Sequence, residues 1–183
     1  MQQTSLADIA LSASMEATAT ELTIRYLVFN RGTDDLYLFN QLYDFYDGSP
    51  GYRVEPDLAV IEYCDDVVVI SKKLVQVPDD IDVEYPNVPC MKRLEPGMQS
   101  DETFRLKLPL QRRTPYEQGT GARPGLRAAR FQLGYFFGKA AARATAMSVE
   151  TSVGPLLHFG SFSAQHQLLI DVGPFEPVPT LED

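Results

Sequence analysis

Glu102-Thr103-Phe104-Arg105-Leu106-Lys107-Leu108-Pro109-Leu110 alternates apolar and polar residues. Phe104, Leu106, Leu108 and Leu110 point one way, and Thr103, Arg105 and Lys107 the other, which is the pattern of a strand with one buried and one wet face. Just upstream, Glu95-Pro96-Gly97-Met98 holds Pro and Gly in the order of a type II turn. Pro presets the first central residue of such a turn, and Gly takes the positive φ of the second. A tight turn therefore feeds this strand.

The same period recurs near the start of the chain, where Leu22, Ile24, Tyr26 and Val28 alternate with Thr23, Arg25 and Leu27. Asn30-Arg31-Gly32-Thr33-Asp34-Asp35 is the loop that joins this segment to a second strand, Leu36–Tyr43. Further strands are predicted at 9–15, 58–63, 67–77, 127–137 and 166–172. In 67–77 the apolar run is bracketed by Asp65-Asp66 and Lys72-Lys73, charges that block edge pairing, so one or both ends of this strand are placed near a sheet edge. Tyr26-Leu27-Val28-Phe29 and Tyr135-Phe136-Phe137 are apolar on both faces and predict central strands with one face covered by a loop. Helix is argued only by the alanine-rich stretch 138–147. Pro174-Phe175-Glu176-Pro177-Val178-Pro179 reads as an extended, partly mobile tail. Eight or so strands with turn signals between them predict an all-β, two-sheet antiparallel β-sandwich with at most one short helix, as a single domain over 1–173 and a tail over 174–183.

With 183 residues, 44% hydrophobic and 22% charged, the chain is expected to be one ordinary soluble domain, too apolar for disorder. Its longest near-continuous apolar run, Val67-Val68-Val69-Ile70, is far below the roughly 20 residues of a membrane-spanning helix, so no membrane partner is expected. The N-terminus lacks a basic patch followed by an apolar stretch, which predicts a cytoplasmic protein.

The formal charge of −9 is unevenly spread. Residues 1–91 hold 16 acids and 5 bases, and residues 92–183 hold 9 acids and 11 bases. The basic stretch from Arg105 to Arg143 is expected to be neutralised by the acidic front half across a shared surface. Nucleic acid is not an expected partner, because an acidic chain opposes phosphate at long range.

Motifs for catalysis and cofactors are missing from the chain. Cys64 and Cys90 are expected to be reduced, and with His158 and His166 they lack the close spacing of a structural zinc site. Gly160-Ser161-Phe162-Ser163 lacks the second glycine of a hydrolase elbow, and Gln118–Gly125 fits no phosphate-loop spacing. The grouped loop carboxylates do not follow a calcium-loop pattern. No cofactor or metal is expected.

Two candidate sites remain. Gln41–Tyr52 gathers Tyr43, Phe45, Tyr46 and Tyr52 among turn residues, and such aromatics on a loop either anchor a protein partner or fold back over the core. This loop, or an exposed sheet edge, is the expected interface with a partner protein or with a second copy in a homo-oligomer. The alternative is a cationic pocket for an anionic ligand, assembled from Arg105, Arg127, Arg130, His158 and His166.

An alternating strand ending in Val28-Phe29-Asn30-Arg31-Gly32-Thr33, followed later by Leu94-Glu95-Pro96-Gly97 and Phe104-Arg105-Leu106, resembles bacterial immunoglobulin-like sandwiches. The bacterial intracellular proteinase-inhibitor family shares both marks. The resemblance spans about residues 20–140 and implies an immunoglobulin-like binding fold more than an enzyme. It does not extend to inhibitor activity, since no reactive-loop residue is identifiable. The chain also lacks the Trp and the cysteine context of true immunoglobulin domains.

Overall fold

The computed structural model describes residues 1–46, 51–84, 86–138 and 146–182, with the backbone alone at Phe45 and Tyr46. The fold is all-β. In chain order its strands are β1 (Gln2–Ser5), β2 (Ile9–Ala17), β3 (Glu21–Asn30), β4 (Leu36–Gln41), β5 (Tyr43–Tyr46), β6 (Tyr52–Val54), β7 (Val60–Cys64), β8 (Val67–Lys72), β9 (Cys90–Leu94), β10 (Gln99–Lys107), β11 (Leu110–Gln111), β12 (Arg123–Phe137), β13 (Ala146–Val149), β14 (Leu156–Phe159) and β15 (Leu168–Glu182). A 3-10 turn covers Ala164–His166. Among the described residues, no helix is long and apolar enough to cross a membrane.

The first sheet has the order β1-β2-β3-β10 and is antiparallel throughout. Alternation decides its inner face: Ile9, Leu11 and Ala13 from β2, Leu22, Ile24, Tyr26 and Val28 from β3, and Phe104 and Leu106 from β10 are buried. The second sheet runs β11-β15-β12-β4-β9-β14-β13, with β8 alongside β12 and β7 beyond it. Its inner face adds Leu36, Leu38, Ile70, Phe131, Leu133 and Ile170 to one shared core between the sheets. Each such side chain stabilises the fold by about 1.5–3 kcal/mol relative to exposure.

The two predicted turns meet in space. Gly97 has φ of +75°, and Met98 N–H donates to Glu95 O at 3.1 Å, as a type II turn requires. Asn30, fully buried, donates its backbone N–H to Met98 O at 3.0 Å and accepts from Gly97 N–H at 2.9 Å. The loop after Asn30 then carries the chain from the first sheet to the second.

Several expectations are corrected. Not all pairing is antiparallel: β8 runs parallel to β12, and β11 parallel to β15. The chain between β8 and β12 passes through β10 of the other sheet, so β12 can return in the direction of β8. β8 lies one strand in, between β7 and β12, and Val68 through Lys72 are all buried, so its closing lysine does not stand at the edge as a solvated charge. The predicted strand 102–110 ends at Lys107, because Pro109 has no N–H to donate, and Leu110 starts β11 in the second sheet. The tail is extended as expected but is laddered to β12 as far as Glu182, with Val178 and Thr180 buried. Of the alanine-rich stretch read as helix, 139–145 lies outside the described residues, and Ala146 and Met147 open β13.

The face of β12 away from the main core is covered, as Tyr135-Phe136-Phe137 predicted. Phe136 packs there with Phe39, Leu74, Val88, Met91 and Phe159 in a second core, and Tyr37 stacks on it at 5.0 Å with the rings 7° apart. Phe162 closes this layer at 4.9 Å from Phe136.

Candidate functional site

Among the described residues, β10 has a strand neighbour, β3, on one side only. The Arg105 backbone N–H donates to Asp57 Oδ1 at 2.8 Å, so it points away from β3. Residues two apart in an antiparallel strand share this direction, so the N–H groups of Asp101 and Thr103 also face outward. The edge runs past two depressions. A cleft of about 330 Å³ has Phe104, Glu102, Asn40 and Lys92 in its walls, with Val153 and Leu156 opposite. A wider groove of about 650 Å³ takes Arg105, Lys107, Arg112 and Arg113 into its lining. Glu55-Pro56-Asp57 forms a strap that contributes to both.

Glu102 ties the two sheets together at the cleft. Its Oε2 accepts from Tyr26 Oη at 2.6 Å and its Oε1 from Asn40 Nδ2 at 2.8 Å, while Gln41 Nε2 lies at 3.4 Å and Lys92 Nζ at 3.6 Å. The carboxylate obliges the Asn40 amide to turn its nitrogen inward, which leaves Asn40 Oδ1 buried without a hydrogen-bond partner. Burial, and then the Glu102 charge, hold the Tyr26 phenol protonated far above its ordinary range.

Lys72 lies behind the strap. It is 2% exposed, donates to Pro56 O at 2.6 Å and sits 4.5 Å from the Phe104 ring centroid. Burial lowers its ammonium to about 8, with Glu102, Asp57 and Glu55 opposing the shift. The Lys72-Lys73 pair, read as edge-blocking charge, thus splits: Lys72 is an internal latch, and Lys73 bonds Glu62 and Gln132.

The aromatic segment forms a hairpin, β5 with β6. Tyr43 and Tyr52 are half-buried, their rings 4.7 Å apart, and Tyr52 lies 4.6 Å from the His158 ring. His158 is 5% exposed. Its Nε2 lies 3.0 Å from Val88 O, which only accepts, so Nε2 carries the proton and Nδ1 accepts from Tyr52 Oη at 3.3 Å. Burial lowers the His158 pKa, and burial raises the Tyr43 phenol and pushes the Cys90 thiol to about 12. Tyr52 therefore packs on His158 of β14, and Tyr43 packs on Tyr52. The side chains of Phe45 and Tyr46 lie outside the described residues.

The basic residues expected to share a pocket are held by separate acids. Arg105 faces Glu21 at 3.6 Å, Arg127 pairs with Glu182 at 2.8 Å and bonds Asp65 O, and Arg130 pairs with Asp171 at 2.8 Å. His166 is exposed on the 3-10 turn with Phe162 beside it, whereas His158 is internal. Neutralisation across the two halves of the chain is also smaller than expected. Arg93 with Asp35 and Arg105 with Glu21 join the halves, but Arg112, Arg123, Arg127, Arg130 and Lys92 reach acids of their own half. Both cysteines are free, Cys64 exposed and Cys90 buried. Among the described residues no three His, Cys, Asp or Glu side chains gather in a metal-binding group.

No protein-family model, curated protein or solved structure matches the chain. Sequence reasoning named Arg105 but not Lys72, Asn40 or Glu102, whose partners lie far away along the chain and leave no local pattern.

Proposed function

We propose that the chain is a non-catalytic, immunoglobulin-like β-sandwich module, working in a reducing cytoplasmic setting, that binds an extended polypeptide segment along the open edge of β10. One observation carries this reading: Asp57 Oδ1 takes the Arg105 N–H at 2.8 Å, where the carbonyl of an added strand would lie. The edge already uses one acceptor of this kind, and the Asp101 and Thr103 amides beside it face the same way. Main-chain hydrogen bonds of this type supply affinity, and adjacent clefts supply selectivity. Glu102 supports a binding role over an acid–base one, because its carboxylate is committed to ties between the sheets. The inward packing of Tyr52 on His158 turns attention from the aromatic hairpin to the sheet edge.

Thr103→Pro tests the reading. Its N–H faces away from β3, so proline removes no ladder bond within the sheet but deletes an outward donor. A protein captured from native lysate by the wild type should be lost from the variant, while the melting curve stays cooperative. Equal retention by both would overturn the reading.

A further inference from the structure

We propose that the strap Glu55-Pro56-Asp57 is a gate on the open edge of β10, held shut from inside the fold by Lys72 and lifted by the segment that binds; this rests on the β10-edge reading and adds the regulation of that site. Three observations support it.

First, the strap divides what would otherwise be one trough. Glu102, Thr103 and Phe104 line the cleft, and Arg105, Leu106 and Lys107 line the wider groove, so the two depressions follow six consecutive residues of β10. That is the length of an ordinary strand. The depressions part where Pro56 enters the wall of the cleft and Glu55 and Asp57 enter the wall of the groove. With the strap in place, an added strand can reach the Asp101 and Thr103 amides but meets Asp57 at Arg105.

Second, the strap is held lightly on its outer side. Glu55, Pro56 and Asp57 are exposed, whereas Val54 and Leu58 on either side are buried. Glu55 N–H is anchored on Leu42 O at 3.0 Å, so Pro56 and Asp57 are the part that lifts. Among the described residues, the strap's one hydrogen bond to β10 runs from the Arg105 N–H to Asp57 Oδ1, and Pro56, having no N–H, cannot extend it into a ladder. An incoming strand that takes the amides of Asp101, Thr103 and Arg105 together replaces one contact by a row of them.

Third, the latch comes from within. Lys72, 2% exposed, donates to Pro56 O at 2.6 Å, and the charges of Glu102, Asp57 and Glu55 attract its ammonium. A buried ammonium is costly unless it is paired and hydrogen-bonded, and among the described residues Pro56 O is its hydrogen-bond acceptor. A methionine would fill the same space beside Phe104 without that cost, so what the ammonium adds is its hold on Pro56.

Amide exchange and retention, measured on the same proteins, provide the test. Lys72→Met leaves Asp57 in place but frees the strap, so at fixed pH the Arg105 amide should lose at least about tenfold of its protection, while Phe104 and Leu106, whose amides face β3, keep theirs. The variant should also retain several-fold more protein from native lysate than the wild type, and adding Thr103→Pro to it should abolish the gain. Should Lys72→Met not melt cooperatively, Asp57→Ala opens the gate from outside and must show the same gain. Wild-type protection of Arg105 in Lys72→Met would overturn the latch. Protection lost without a gain in retention, while Thr103→Pro still abolishes wild-type retention, would overturn the gate and uphold the edge. Retention that Thr103→Pro leaves untouched in both backgrounds would overturn the edge reading, and the gate with it.

Discussion

The side-chain amide of Asn30, at the end of β3, donates to the Leu94 carbonyl at the end of β9 across 2.9 Å. It joins the two sheets at the point where both turn. The same amide nitrogen donates to Asp34 O at 2.9 Å, and Asn30 Oδ1 accepts from Gly32 N–H at 3.0 Å. One buried side chain thus closes the Asn30–Asp35 loop and pins the turn that starts β10.

Asn30→Ala should take the side-chain donor from two carbonyls, Leu94 O and Asp34 O, whereas Gly32 N–H keeps Asp8 O at 3.1 Å. Each unsatisfied buried group costs about 1–3 kcal/mol, so losing both should lower stability by about 3 kcal/mol. Chemical denaturation measures this, and a loss under about 1 kcal/mol would show that water replaces the amide.

The two marks behind the immunoglobulin-like resemblance were legible as letters, but their contact was not. Period two located β3 and β10 because each has one wet face. It failed at β9, where Cys90, Met91 and Leu94 are buried and Lys92 and Arg93 are exposed, an order without alternation. The first part of β15 was read as a strand at 166–172, but its continuation was hidden by Pro174, Pro177 and Pro179, which argue against a strand. The structure tolerates them because, among the described residues, β15 has only β11 on its far side, at Thr180 and Leu181, so the missing donors break few bonds. At the candidate site Arg105 and Lys107 could be read as a wet face. Lys72 could not, because two adjacent lysines look like solvated charge whether or not a strap folds over one of them.

Lys72 predicts a pH dependence. Its ammonium titrates at about 8 in the fold against 10.5 when free, so between these values the unfolded chain holds more protons and stability rises with pH. The full gain is about 3 kcal/mol. Cys90, raised from 9.0 to about 12, acts oppositely above pH 9, so the comparison must be between wild type and Lys72→Met, which share Cys90. Urea unfolding from about pH 8 to about pH 10 should show the wild type gaining on the variant; parallel curves would contradict a buried ammonium.

His158 predicts acid release of the β5–β6 hairpin. Burial puts its folded pKa below the 6.5 of a free histidine, so the unfolded state binds the proton first and stability falls as pH drops through that range. Relative to intrinsic exchange at the same pH, amide protection at Tyr52–Val54 should fall below pH 6.5 before protection in β3 does. His158→Gln should remove most of this acid dependence, and the pH profile of an unchanged variant would assign it elsewhere.

The central claim concerns the outward amides of β10, and two substitutions there should act in opposite directions. Asp57→Ala removes the side chain that occupies the Arg105 N–H and frees the middle of the edge, whereas Thr103→Pro deletes a donor. The measurement is the amount of polypeptide, untagged copies of the chain included, retained by wild type, Asp57→Ala and Thr103→Pro at equal loading. Binding through the β10 edge predicts more retention by Asp57→Ala and loss by Thr103→Pro. Equal retention by all three proteins would contradict it.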